Sequence, residues 1–520
     1  MKKQKVVIIG GGPAGLTAGY KLLKDSKNYE VVVLEASDSL GGISKTVSYK
    51  GNKMDLGGHR FFSKDEDVMN FWKEIMPVQG KDSYDDKKLK RKKSLVKGGP
   101  DPEKEDNVLL VRNRISRIYY LKKFFDYPIS MKWETFKNMG FVRTMSSGFS
   151  YIKSIFFKKK EDNLENFYIN RFGKKLYSMF FEGYTEKLWG RHPSEIDASW
   201  GAQRVKGLSI IAVIKDMFKK VFHIKGKKVE TSLIEEYVYP KYGPGQLWER
   251  VGSLFEEMGG KVLLNHEVSK IDIDGYKIKS VSCLVDGKEK EIKGDIFISS
   301  MPIKDLINSI DGKVPSKIKK IANGLPYRDF VTVGLLVDKL KLKNETNIKT
   351  LNNIVPDCWI YVQETGVKLG RIQVFNNWSP YMVKNPDKTV WIGLEYFCNE
   401  NDDFWNLSDK DMKKLAIDEL LSMDVIESKD NVLDYHREKV KKAYPAYFDT
   451  YSEMDSLVAY LNKYDNLYCV GRNGQHRYNN MDHSMVTSFE TVNNIINGVK
   501  TRDNIWNVNT EKEYHEEKKQ

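Results

Sequence analysis

The chain predicts an α/β protein: a Rossmann-like dinucleotide domain assembled from separate stretches, with an antiparallel second sheet and a helical insertion. Three observations support this. The first 36 residues run apolar strand, glycine turn, amphipathic helix, apolar strand. Residues 466–498 repeat the order strand, glycine, helix at the other end of the chain. Between them, FVTVGLLV (330–337), CWIYV (358–362) and TVWIGLEYF (389–397) read as strands of another sheet.

Taken in order, the lysine-headed N-terminus has only Val6 to Ile9 as an apolar run before glycines intervene, so it is a strand and not a secretion signal. The helix spans about residues 14–23 and the second strand 31–34. Residues 82–107, DSYDDKKLKRKKSLVKGGPDPEKEDN, are charged and proline-bearing and are expected to form a mobile surface insertion. Aromatic-rich helical sequence fills about 133–222, and short strands follow over 262–300. The charged tail after residue 501 is expected to be loosely ordered.

Composition narrows the function classes. A chain of 520 residues, 40% hydrophobic and 30% charged, can bury two or three packed units. Its net charge of +14 comes from basic residues scattered along the chain, which suits an anionic small molecule and does not indicate nucleic-acid binding. Cys283, Cys358, Cys398 and Cys469 show no C-x-x-C spacing and read as reduced core thiols of a cytoplasmic protein. No window reaches the roughly 20 apolar residues of a membrane span. No metal site is expected, because H-E-x-x-H is absent and His476 and His483 lack a carboxylate or thiol at ligand spacing. No G-x-S-x-G elbow supports serine catalysis.

Gly10, Gly12 and Gly15, with Pro13 and Ala14 between them, form G-x-G-x-x-G directly between strand and helix; Glu35 ends the next strand 20 residues beyond Gly15. The glycines allow a tight turn, approach of a pyrophosphate to the backbone, and close helix–strand packing. The helix N-terminus offers unpaired N–H groups, and Glu35 can accept from a ribose. Gly41 and Gly42 make a second backbone approach point and Gly57 and Gly58, in MDLGGHRFF, a third. So many approaches imply a long extended cofactor, FAD rather than NAD. The glycines at 57 and 58 are expected to make room for the isoalloxazine, with His59 at its border. Val268 stands where flavoproteins of this type let the backbone meet the adenine, and Gly471 and the helix start at Asp482, His483 and Ser484 are expected to face the flavin pyrimidine. The expected partition is an FAD domain from residues 1–75, 241–305 and 461–500; a sheet segment with the charged insertion at 76–130; a helical substrate domain at 131–240; a substrate-binding sheet at 306–460; and the tail, 501–520.

These motifs resemble the glutathione-reductase-like flavoproteins of the amine oxidase and protoporphyrinogen oxidase group, and most closely the UDP-galactopyranose mutase family. GGHRFFS resembles that family's histidine loop over the flavin; YTEKLWGRHPSEIDASWGAQRV resembles its helical stretch, with Trp189 and Arg204; CWIYVQETGVKLGRIQVFNNWSPY resembles its substrate sheet, with Tyr361 and Arg371. AYP supplies Tyr444, GRNGQHRY supplies Arg472 and Tyr478, and Tyr127 lies in the stretch resembling the uracil pocket.

The resemblance implies a redox-neutral reaction in which reduced flavin attacks the anomeric carbon of a nucleotide sugar, displaces the diphosphate, and lets pyranose and furanose exchange. It makes Arg204 and Arg371 the diphosphate clamp, Tyr361, Tyr444 and Tyr478 its hydroxyl donors, and His59, Arg371 and Arg472 the groups nearest the chemistry. A reductant such as NAD(P)H or a reductase is implied as partner, and a homo-oligomer is compatible. The chain departs from the family where Ile129-Ser130 replaces Phe-Gln and Thr185 replaces an asparagine. Such changes fit action on a different nucleotide sugar, or an FAD-dependent oxidoreductase of an amine or porphyrinogen on the same scaffold.

Overall fold

The computed structural model describes residues 3–127, 129, 133–198, 232–233, 236–509 and 517–518. Strand β1 (Gln4–Ile9), helix α1 (Pro13–Asp25) and strand β2 (Tyr29–Leu34) form the expected β-α-β unit. It belongs to a five-stranded sheet in the order Lys261–Leu263, β2, β1, Ile296–Ser299, Leu467–Cys469, in which every neighbouring pair is parallel. Both faces are covered, which is why these strands are near-continuous Val/Ile runs. On one face, Val6 and Ile8 pack with Ala14, Ala18 and Leu22 of α1 and with Val492 and Ile495 of the helix Met481–Asn497. On the other, Val7 and Ile9 pack against a four-stranded sheet through Val268 and Ile271.

The second sheet has seven strands in the order Val432–Pro445, Tyr327–Val337, Val390–Cys398, Arg371–Val374, Trp359–Val362, Ser116–Tyr120, Lys123–Asp126. It is antiparallel except where Trp359–Val362 runs parallel to Ser116–Tyr120. One face closes a core with Met412, Ala416 and Leu420 of the helix Asp409–Ser422. The other receives the helical insertion, where Tyr168, Phe172, Leu176 and Phe180 meet Ile118, Phe125, Phe330 and Tyr444. Because side chains alternate along a strand, Arg371 and Gln373 share one face. The register sets Arg371 directly opposite Glu395 on one neighbour and Tyr361 on the other.

The charged stretch expected as a mobile surface insertion is exposed over most of its length, but its first part is tied into the fold. It starts a helix, Tyr84–Leu89, whose Asp85 and Asp86 are buried. Asp85 accepts from Arg112 at 3.1 and 2.8 Å, Asp86 accepts from Arg91 Nε at 2.7 Å, and the Ser83 hydroxyl lies 2.7 Å from an oxygen of each carboxylate, with one proton to share between them. Burial alone would raise the Asp85 carboxyl, but the attraction of Arg112 and Arg91 outweighs it and holds it well below the usual range. Two of the run's acids, Asp85 and Asp86, pair with Arg112, five residues past its end, while most of its lysines are exposed. Composition reports the charges but not their partners.

Candidate functional site

A single cavity of about 2110 Å³ runs from the C-terminal end of β1 to the second sheet and the helical insertion. That is larger than the roughly 300–1,000 Å³ of a small-ligand pocket and large enough for a dinucleotide with a substrate beside it. At its first end α1 begins at Pro13, with Gly12 as an N-cap that has no side-chain capping bond and no acid in the first turn. A Cβ placed on Gly12 would find nothing closer than Gly42 Cα at 3.8 Å, and one on Gly57 nothing closer than His59 Cε1 at 3.8 Å. At Gly12 protein packing therefore does not require glycine, whereas a ligand lying along the backbone would; at Gly57 the left-handed φ of +93° itself calls for glycine. Glu35 accepts from Gly11 N (2.7 Å), Ser37 N (2.9 Å) and Ser37 Oγ (2.7 Å), which orients its carboxylate and leaves lone pairs for a ribose. This donor set and cradle fit FAD.

Gly58 has a different reason from the one expected. Its Cβ would lie 2.0 Å from the Trp359 indole, so glycine is needed there for contact with the second sheet rather than for a flavin. Gly15 likewise serves packing, since its Cβ would fall 1.9 Å from Gly10 O. Asp482 accepts from Ser63 Oγ at 3.0 Å, and His483 caps its own helix at Asn480. Asp482, His483 and Ser484 at the start of that helix line the cavity.

At the other end, Arg371 is buried in the cavity wall. Its Nε donates to Tyr184 Oη (2.8 Å) and its guanidinium to Tyr444 Oη (3.2 Å) and Glu395 Oε2 (3.2 Å). Gln373 holds the other Glu395 oxygen at 3.1 Å. Burial raises the Glu395 carboxyl above its ordinary value, with Arg371 and Gln373 pulling the other way. Trp359, Tyr361 and Tyr127 form a stacked ladder beside the guanidinium, with Tyr361 and Tyr127 centroids 4.1 Å apart, and Tyr444 stacks on Tyr478 at 5.5 Å. The edge of Trp189 meets Tyr478 at 6.2 Å.

Arg472 is held by carbonyls alone, Asn479 O at 2.7 Å and Ala443 O at 2.9 Å, and lies 5.0 Å from the Tyr478 ring centroid. Among the described residues no carboxylate neutralises it, so its charge remains available to an anion. His59 opens onto the cavity rather than bulk water. Desolvation first, then the nearby Arg472 charge, push its imidazole down to about 4, so it is neutral at pH 7. Behind this loop Asp55 is fully buried; desolvation raises it to about 7 against hydrogen bonds from Tyr239 and Thr46.

The cavity thus gathers Gly10, Gly12, Pro13, Ala14, Glu35, Gly42, Gly57, Gly58, His59, Val268, Gly471, Asp482, His483 and Ser484 at one end. Tyr127, Trp189, Tyr361, Arg371, Tyr444, Arg472 and Tyr478 line the rest. Gly15 and Gly41 stand behind its wall, and Arg204 lies outside the described residues. Sequence reasoning missed Tyr184, Trp359, Gln373 and Glu395. Glu395 alone left a signal, a carboxylate in the middle of an apolar strand, where a buried charge requires a partner.

A parallel sheet with this glycine cradle, opening on a cavity walled by a second sheet, defines a dinucleotide-binding α/β protein. The chain belongs to the flavin containing amine oxidoreductases, whose family model matches residues 13–479. It is therefore a flavin-dependent enzyme of the amine oxidase superfamily, with FAD as the implied cofactor. It is 25% identical over 211 residues to a "Probable UDP-galactopyranose mutase" of Klebsiella pneumoniae, covering 38% of this chain and 44% of that protein. It is 42% identical over 57 residues to "Probable polyamine oxidase 5" of Arabidopsis thaliana, 11% of each. These matches therefore span less than half the length of either relative. The fold is that of a reduced UDP-galactopyranose mutase crystal structure (TM-score 0.72, 20% identity, 97% of this chain and 98% of that one). It is also shared with putrescine oxidase bound to putrescine (TM-score 0.57, 14% identity, 95% and 99%). No helix among the described residues is long and apolar enough to cross a membrane.

Proposed function

We propose that the enzyme interconverts the pyranose and furanose forms of a nucleotide-diphosphate sugar, serving the synthesis of cell-surface glycan precursors with its flavin kept reduced by NAD(P)H or a reductase. The observation that carries this reading is the pair of guanidinium groups, Arg371 and Arg472, that meet across Tyr444 in one cavity with the glycine cradle. A diphosphate leaving from an anomeric carbon gains negative charge, and guanidinium hydrogen bonds to it strengthen as it does. A protonated amine entering the same chamber would be repelled. Reduced flavin would supply the nucleophile that splits the exchange into two displacements.

The chain's own residues have defined tasks in this reading. Arg472, unpaired with any carboxylate among the described residues, binds the anion nearest His59. Arg371, oriented by Glu395, Tyr184 and Tyr444, presents a fixed fork, and the Tyr444 and Tyr478 hydroxyls offer further donors. The neutral His59 imidazole can give or take a proton-sharing hydrogen bond without adding charge.

Net oxidation of an amine or porphyrinogen is the second reading, favoured by the aromatic wall of Tyr168, Phe172, Phe180 and Phe181 along the same cavity. Incubating the dithionite-reduced protein anaerobically with a panel of nucleotide sugars and resolving the products by chromatography separates the two. Isomeric sugars of unchanged oxidation state are expected. No isomer, with peroxide formed from an amine in air, would replace the mutase by the oxidase.

A further inference from the structure

The helix Phe141–Phe156 is amphipathic in the wrong sense for water. Its inward face carries small polar residues, Ser147 and Ser154 buried and Thr144 and Ser150 half-buried. That face is tied to the helix Leu164–Tyr177: Lys175 N donates to Ser150 Oγ at 3.0 Å, and Gly173 approaches so closely that a Cβ would meet Tyr151 N at 2.7 Å. The apolar residues point outward. Phe141 is 80% exposed, Phe149 67% and Phe156 76%, with Val142, Met145, Ile152 and Ile155 exposed beside them. At about 100° per residue these seven fall within an arc of about 140° on the side opposite the buried serines. Phe157 continues the patch beyond the helix.

Along this stretch of the chain the charge has one sign, with Glu134 shortly before it and Glu161 and Asp162 directly after it. Residues 137–160 contain Lys137, Arg143, Lys153, Lys158, Lys159 and Lys160 and no aspartate or glutamate. A contiguous exposed apolar face on this scale marks an interaction site. A second copy placed on it by a twofold axis would set this basic cluster near itself, which is unfavourable. A layer of acidic headgroups over an acyl interior complements both features at once, apolar arc inward and lysines at headgroup level.

We infer that the helix Phe141–Phe156 with Phe157–Lys160 docks the enzyme on an anionic lipid membrane, lying in the interface without crossing it. The helix packs on Leu164–Tyr177, whose Tyr168, Phe172 and Leu176 wall the cavity, so docking would hold the catalytic chamber one helix away from the bilayer.

The test is co-sedimentation of the full-length flavin-loaded enzyme with phosphatidylcholine vesicles, with and without phosphatidylglycerol. Two variants accompany the parent, Phe149→Glu/Ile152→Glu and Lys158→Glu/Lys159→Glu/Lys160→Glu. All substituted side chains are already exposed, and unchanged flavin content and melting midpoint confirm folding. Binding is expected only to the anionic vesicles, weakening with added salt, and each variant should lose at least about tenfold in affinity. Parent that ignores anionic vesicles at low salt, or variants that bind as the parent does, would overturn the inference. So would a lipid-indifferent dimer that the Phe149→Glu/Ile152→Glu pair makes monomeric, since a second copy would then cover the face. Hydrogen-exchange protection of residues 141–157 without vesicles and in the monomer would assign the cover to the rest of the chain, with the same result.

Discussion

Replacing Arg371 alone by alanine would confuse two effects, and the structure shows how to separate them. The guanidinium compensates Glu395, whose side chain is inaccessible to solvent. Stripping a buried carboxylate of its cation costs about 3–5 kcal/mol, a large part of the roughly 5–15 kcal/mol that holds a domain together. Arg371→Ala should therefore be visibly destabilised whether or not Arg371 touches a substrate. Removing both charges with Arg371→Met/Glu395→Gln leaves no buried ion, and such exchanges are often neutral or stabilising. In this double variant we expect near-parental melting and flavin content, because the glycine cradle belongs to the other sheet. Affinity for a nucleoside diphosphate should still fall, since one or two charge-assisted hydrogen bonds of about 1.5–3 kcal/mol are lost. That is about 10-fold to more than 100-fold in Kd. Thermal denaturation followed by calorimetric titration of the reduced protein measures both quantities. A folded double variant that binds the nucleotide as tightly as the parent would show that Arg371 serves only to neutralise Glu395.

Four further outcomes are expected. Gly12→Val should fold, because the site has room for a Cβ and a φ of −83° that any residue adopts, yet it should lose its flavin absorbance. Gly58→Ala should instead melt early, through collision with Trp359; the reverse pattern would refute the assignment of the two glycines. Lowering the pH from 6.5 to 4 should destabilise the fold, because burial pushes His476 down to about 4 while its unfolded form takes up a proton near 6.5. The unfolded state then binds the extra proton throughout that window, and stability falls with pH by up to about 3 kcal/mol. Urea unfolding of His476→Gln should show that much less acid sensitivity, and parallel pH curves would count against it. Finally, half-buried Ile129 lines the cavity where the resembled family carries a larger aromatic side chain, beside the position of its glutamine. UDP should therefore exceed TDP, GDP and CDP by less than about a hundredfold in affinity for the reduced protein, a gap near 2.7 kcal/mol. A larger preference would mean that the base is read by other residues.

The amino-acid sequence by itself determined the β-α-β unit and its cradle, because strand period, glycine spacing and the terminal acid at Glu35 are all local and lie within 36 residues. It also determined that the N- and C-terminal stretches resemble one another, although only the sheet order shows β1 and Leu467–Cys469 lying on either side of Ile296–Ser299. Tertiary structure alone decided features that join distant positions. Gly58 is glycine because of Trp359, 301 residues further on. Arg371 is a fixed fork because strand register puts Glu395 opposite it. Asp85 and Asp86, which read as solvated charges, are buried because Arg112 reaches them. A periodicity tells which residues share a face of a helix but not which face turns inward. For Phe141–Phe156 the close approach of Gly173 decides that, and it leaves the phenylalanines outside.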